Sequence, residues 1–208
     1  MKIEVLLSTM HQIDKNIIEE CNINSDVVVI NQCENNSEEE FKFKEKYRCK
    51  WINSRDRGLS NSRNLAMTNA QGDICLLCDE DVVYKDNYCE IVEKAFKKIP
   101  TADVIIFDID EVGTNEQRDK AKKIYKLSKF KTYGSVHVAF KRECFEKNKI
   151  RFNTLFGAGS NMYAMAEDAL LFRDFAKKQI GVYVYPETIS TVYFDNSTWF
   201  RGYDEKYF

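Results

Sequence analysis

An α/β fold is what this sequence predicts: one domain spanning residues 1–208, with a mostly parallel central sheet flanked by helices. Three observations carry that expectation. Short apolar runs of strand length alternate with stretches at helical spacing in the order β-α-β, β-α-β-α-β, the pattern of a layered α/β sheet. A chain of 208 residues, 44% of them hydrophobic and two of them proline, suits one well-packed core. No internal repeat, low-complexity segment or linker interrupts it.

Taken in order, residues 2–7 and 27–30 read as parallel core strands. A helix carrying Ile13, Ile17, Ile18 and Cys21 joins them by a right-handed crossover. Residues 31–46 are polar and charge-rich, as in a surface connection, and residues 48–53, with Trp51 and Ile52, form a third strand. Ser60 or Asn61 caps the next helix, Leu65, Ala66 and Ala70 repeat at helical spacing, and Gly72 stops it. Residues 74–78 are an apolar run typical of a strand covered on both faces. Asp79, Glu80 and Asp81 follow at once.

Residues 86–99 form an amphipathic helix with Ile91, Val92, Ala95, Phe96 and Ile99 turned inward, closed by Pro100. Another apolar strand covers 103–109, and a Lys-rich excursion follows. Residues 134–140 resume as a strand and 142–148 as a short helix, with a loop at 153–165 carrying Gly157 and Gly159. The helix at 167–179 turns Leu170, Leu171 and Phe175 inward and ends at Gly181. A strand at 182–185 precedes Pro186.

Charge and composition exclude several classes. With 31 basic and 33 acidic residues the net charge is −2, which gives no general case for nucleic-acid binding. No apolar run approaches the roughly 20 residues of a bilayer span. The opening M-K-I-E-V-L-L-S-T-M, broken by Glu4, reads as a first strand and not as a signal peptide. Seven cysteines scattered among apolar residues fit reduced thiols. The expected location is therefore the cytoplasm, with peripheral contact at the inner face of the membrane left open.

Two patterns compete for chemistry. Cys75 and Cys78 stand three apart on a strand, so they face opposite ways and read as core thiols, not a metal pair. V-I-I-F-D-I-D at 104–110 resembles the nucleophile motif of haloacid-dehalogenase-type phosphatases, which makes Asp108 and Asp110 an alternative reactive pair. That motif usually opens its domain, and here it does not. With His11 and His137 the only histidines, a Ser-His-Asp or His-rich metal site has little material.

The stronger constellation is Asp79-Glu80-Asp81. Three carboxylates at the end of a buried strand repel one another, so a cation is expected beside them. Hard carboxylates favour magnesium or manganese, especially where a diphosphate adds oxygens. On charge alone a solvated acidic turn is an equal reading. Position favours the metal, because ligands of α/β sheets bind beyond the strand ends. Arg57 and the N-terminus of the helix beginning near Ser60 are donors suited to phosphate. Arg63 reads as surface charge.

R-G-L-S-N-S-R-N-L-A followed by A-Q-G-D-I-C-L-L-C-D-E-D-V resembles the signature of family 2 glycosyltransferases, which have the GT-A fold. Phe156-Gly157-Ala158-Gly159 and then Glu167-Asp168-Ala169-Leu170-Leu171-Phe172 resemble the family's glycine loop and E-D helix. The resemblance covers nearly the whole chain. It implies a nucleotide-sugar donor half at 1–109, Rossmann-like, and an acceptor half carrying the catalytic base at 110–208. It implies Asp81 as the main ligand of Mn2+ or Mg2+, with Asp79 also at the metal or on the nucleotide ribose. Ser8, Thr9 and Arg57 match nucleotide-binding positions. Asn31 stands where the family usually has an acidic residue for the base, and an amide still hydrogen-bonds a pyrimidine. Asp168 matches the catalytic base, with Glu167 beside it.

Without that resemblance, Asp168 is a first-turn carboxylate that stabilises the helix dipole. Many relatives place a histidine late in the domain near the metal. Here Val192-Tyr193-Phe194-Asp195 occupies that region, leaving Asp195 as the candidate extra ligand. Trp199, Phe200 and Tyr203 read either as acceptor-stacking aromatics or as packing. The resemblance thus implies a metal-dependent inverting glycosyltransferase for polysaccharide biosynthesis. Its donor would be a nucleotide-sugar, by preference a UDP-sugar, and its acceptor a glycan or lipid-linked sugar. A degenerate domain that binds nucleotide-sugar without turnover is the binding-class alternative.

Overall fold

A computed structural model describes residues 1–114, 119–129 and 131–194. In chain order its elements are β1 (Ile3–Met10), α1 (Ile17–Glu20), β2 (Asp26–Gln32), β3 (Ser37–Phe43), β4 (Tyr47–Ser54), α2 (Leu59–Asn69), β5 (Ile74–Asp79) and β6 (Val82–Tyr84). There follow α3 (Tyr88–Lys98), β7 (Val104–Val112), β8 (Tyr125–Lys126), a 3-10 turn (Ser135–His137), β9 (Val138–Lys141), α4 (Arg142–Lys147), α5 (Glu167–Lys177) and β10 (Val182–Tyr193).

One sheet runs β3-β4-β2-β1-β5-β9-β7-β10-β6, with β8 added on β10. The single α/β domain expected from the sequence is present, and its sheet is mixed. Strands β4, β2, β1 and β5 are parallel. β9 then lies antiparallel between β5 and β7, and β10 returns parallel to β7.

Alternation along each strand divides the core in two. In β1, Val5 and Leu7 face the layer containing α1 and α3, while Leu6 faces the layer containing α2, α4 and α5. Cys78 and Cys75 fall into those two layers respectively, so the core-thiol reading of the pair holds. Because α2 and α5 cover the same face, residues at their N-termini meet above the ends of β1 and β5.

Several elements differ from the sequence reading. Residues 31–46 hold β3, an antiparallel edge strand on β4 whose exposed, charged side chains mask its character. Ile13 lies before α1 and is fully exposed, while Ile17, Ile18 and Cys21 are buried. Residues 135–137 form the 3-10 turn, so the strand begins at Val138. β10 runs through Pro186, where its register against β7 shifts between Tyr185 and Thr188. Such an irregularity is where a sheet tolerates proline, which has no N–H to donate.

Gly58, not Ser60 or Asn61, caps α2. The helix stops at Asn69, before Gly72, whose role is close approach. A Cβ there would lie 2.6 Å from that of Glu4. Fully buried Glu4 accepts the Gln71 and Gly72 N–H groups at 2.5 and 2.7 Å.

Candidate active site

The parallel strands end in register. Ser8 lies opposite Asp79, Thr9 opposite Asn31, and Asn31 opposite Asn53. Polar side chains thus follow directly on apolar strands, at the edge where α/β sheets hold their ligands.

Arg63 organises this edge. It sits one turn into α2 and is only 3% exposed, so its reading as surface charge is overturned. Its Nη2 donates to both oxygens of Asp79, at 2.9 and 3.1 Å. Its Nη1 faces Glu167 at 3.5 Å and Asp168 at 3.4 Å. The guanidinium lies over the Phe152 ring, 5.2 Å from its centre. The cation expected beside the acidic cluster is therefore supplied, in part, by the chain itself. Burial works against the charge of Arg63, but Asp79, Asp168 and Glu167 together hold its pKa above the ordinary arginine value.

Asp168 opens α5 and is partly exposed, its second oxygen accepting the Ser135 N–H at 3.2 Å. Burial raises its pKa, and the nearby charge of Asp79 adds to this, while Arg63 and Ser135 pull the other way. Glu167 is buried and also raised, first by burial and then by Asp168. A carboxylate raised above the ordinary aspartate range is a stronger proton acceptor when ionised, which suits proton abstraction.

The loop before α5 sets this geometry. Ala166 has φ of 83°, a left-handed conformation unusual for a residue with a Cβ. Gly157, at φ of 107°, passes so close that a Cβ would meet Ser60 Oγ at 3.1 Å and Glu167 at 3.3 Å. The loop is fastened to α2, since Leu59 N–H donates to the Ala158 carbonyl at 2.9 Å and Ser60 Oγ to that of Phe156 at 2.6 Å. That first N–H of the helix, expected to face phosphate, is engaged within the chain.

Asp81 is half-buried just beyond β5, and among the described residues no ion pair reaches its carboxyl. Burial, followed by the charge of Asp79, pushes its pKa up to about 6. Glu80 turns back to β1, accepting the Thr9 hydroxyl at 2.7 Å. No group of three or more ligating side chains is gathered for a metal among the described residues. An all-oxygen donor set that includes a crowded carboxylate without an ion-pair partner among the described residues nevertheless fits a hard divalent cation at Asp81. Asp79 is oriented by Arg63.

A cavity of about 370 Å³ lies on the β2 side, lined by Gln12, Ile13, Asn31, Cys33, Glu34 and Asn53 among others. Asn31 is fixed at its floor: its Oδ1 accepts the Gln12 N–H at 3.0 Å and its Nδ2 donates to Asn53 Oδ1 at 2.8 Å. The Ser8 and Ser62 hydroxyls are hydrogen-bonded at 2.8 Å. Arg57 donates to the Cys33 and Ser54 carbonyls at 2.9 and 3.2 Å and to Glu34 at 2.5 Å, bracing the cavity wall. Asp195, Trp199, Phe200 and Tyr203 lie outside the described residues.

The sequence model of glycosyl transferase family 2 matches residues 4–167, from β1 to the head of α5. The chain belongs to glycosyl transferase family 2. Three solved forms of the S. aureus TarS fragment 1–349 share the architecture, each covering 93% of this family 2 chain. They are the fragment itself (TM-score 0.70, 15% identity), its complex with UDP-GlcNAc (0.71, 16%) and its complex with UDP (0.71, 16%). The chain spans 58 to 60% of the length of those fragments. At such identities the likeness shows the fold. No curated protein sequence is significantly similar to the chain.

Membership of family 2 overturns the phosphatase alternative, and the local structure agrees. Asp108 accepts the Ala121 N–H at 3.1 Å, and Asp110 is paired with Lys85 at 3.2 Å and with Lys120. Both stand on β7, away from Asp79 and Asp81 in the chain and in different partnerships. The residue that sequence reasoning missed at the site is Arg63. Its signal was available only as a single basic residue within the helix that precedes an acidic strand end.

Proposed function

We propose that this domain is a metal-dependent, inverting glycosyltransferase that moves a sugar from a UDP-sugar to a hydroxyl of a glycan or lipid-linked acceptor. The observation that carries the reading is Asp168, a partly exposed carboxylate held across Arg63 from the end of β5. The donor elements come from residues 1–109 and the base from 110–208. In this reading the nucleobase enters the cavity floored by Asn31, and Ser8 and Thr9, at the end of the neighbouring β1, complete the nucleotide site.

Bound at Asp81, with Asp79 alongside, Mn2+ or Mg2+ would neutralise charge on the leaving diphosphate. Arg63 orients Asp79 and keeps Asp168 ionised. Asp168 takes the proton from the acceptor hydroxyl as that oxygen attacks the anomeric carbon from the face opposite the diphosphate. Charge at that carbon develops as in glycoside hydrolysis. No helix among the described residues is long and apolar enough to cross a membrane. The reading places the domain in the cytoplasm, in contact with the membrane where the acceptor is lipid-linked.

Incubation of the protein with a panel of UDP-sugars, with and without Mn2+, tests this. Metal-dependent release of UDP is expected. Metal-dependent UDP binding without turnover would reduce the domain to a nucleotide-sugar binder, and the absence of both would end the reading.

A further inference from the structure

A second cavity, of about 320 Å³, lies between the segment 126–131 and the flank of α5. Its floor is apolar, made by Phe172, Phe175, Ile180 and Val182. Its rim carries Lys126, Lys129 and Lys131, all exposed, and none forms an ion pair among the described residues. The sequence 120–131 contains six lysines and no Asp or Glu, and of these Lys120 already answers Asp110.

Pairing of β8 with Tyr183 and Val184 of β10 fixes the segment, and Tyr125, Leu127 and Tyr133 pack inward against the core. The lysines are thereby turned outward around a concave, apolar floor.

Both walls of this groove lead to Asp168. The segment continues through Tyr133, whose ring meets that of Phe172, to Ser135, whose N–H binds Asp168. The other wall is α5, which begins with Glu167 and Asp168. At about 1.5 Å per helical residue, Phe172 lies about 6 Å and Ala176 about 12 Å along the axis from Asp168. Of the α5 residues that line the cavity, Phe172 stands one helical turn beyond Asp168.

We propose that the groove is a subsite for the phosphate groups of a phosphorylated acceptor chain, an inference that rests on the glycosyltransferase reading. Three ammonium groups without carboxylate partners among the described residues, at the mouth of a low-dielectric cleft, attract a multiply charged oxyanion more strongly than lysines on open surface do. A membrane surface fits less well, because Tyr125 and Leu127 pack against the core and the cationic rim is concave.

The probe is glucose 6-phosphate, compared with glucose, titrated into labelled protein saturated with UDP and followed through amide shifts. Shifts at residues 126–131 and 172–179 with the phosphate, and none with glucose, are expected. Lys126→Gln/Lys129→Gln/Lys131→Gln should weaken binding at least tenfold while UDP affinity stays unchanged. Absence of those shifts, or their persistence in the triple variant, overturns the proposal. So does lysine-dependent capture by phosphatidylglycerol vesicles, not phosphatidylcholine, without sugar-phosphate binding. Failure of UDP binding in the wild-type protein would instead fault the donor reading.

Discussion

A single nitrogen of Arg63 reaches both carboxylate oxygens of Asp79, at 2.9 and 3.1 Å, while its other terminal nitrogen faces Glu167 and Asp168. One cation from α2 therefore answers acids from β5 and α5. Removing it leaves carboxylates crowded around a buried space with no described positive charge among them.

Substitution Arg63→Met should cost about 3 kcal/mol of stability, the scale for breaking a buried ion pair. Arg63→Lys keeps the charge without the planar fork and should fall between the two. Urea unfolding at neutral pH measures both, and a Met variant as stable as the parent would show that Arg63 is not the internal counter-ion.

The acid limb of kcat/KM should reflect Asp168. Its pKa lies above the ordinary aspartate value of about 3.9, chiefly through burial. A base must be ionised, so activity falls as pH drops through the raised pKa. Loss of the Arg63 charge moves that limb further up, because Arg63 favours the carboxylate. A pH–rate profile of the parent and Arg63→Lys, in which the Lys variant keeps the charge and should shift little, provides the check.

Ala166 holds φ of 83° at the start of α5. Ala166→Gly should be neutral or slightly stabilising, since relief of strain offsets added freedom in the unfolded chain. Ala166→Val should lose about 1 to 3 kcal/mol and disturb Asp168, because a β-branched residue resists this conformation. Thermal melts and donor turnover of the two variants separate these outcomes.

Asp81 is expected to respond oppositely with and without metal. Its folded pKa, raised to about 6, means the metal-free protein loses stability as pH rises from about 4 to about 6 and gains nothing back above that. Asp81→Asn should therefore raise the melting temperature at pH 7 without metal. The same variant should abolish the Mn2+-dependent stabilisation by UDP. Differential scanning fluorimetry with UDP, with and without Mn2+, reads both effects.

Buried elements were legible in the sequence because their surroundings constrain them. The apolar run of β5, the inward face of α3 and the acidic groups at 79–81 and 167–168 all carried a pattern. β3 had little, since an edge strand that opens with Ser37 and three consecutive glutamates is held chiefly by pairing with β4. β10 was cut short at Pro186 because local rules stop a strand at proline, whereas here an irregular register admits it. Arg63 was misread because a charge within a helix is ordinarily solvated. Only the convergence of α2, β5 and α5 makes it a buried hub.

Asp168→Asn tests the central claim most directly, because the amide is isosteric and cannot accept the acceptor's proton. UDP-sugar turnover and UDP affinity should be measured on the same preparation, folded to the same extent as the parent. The account predicts turnover lost by at least a hundredfold with UDP affinity retained. Turnover within a few-fold of the parent would contradict it.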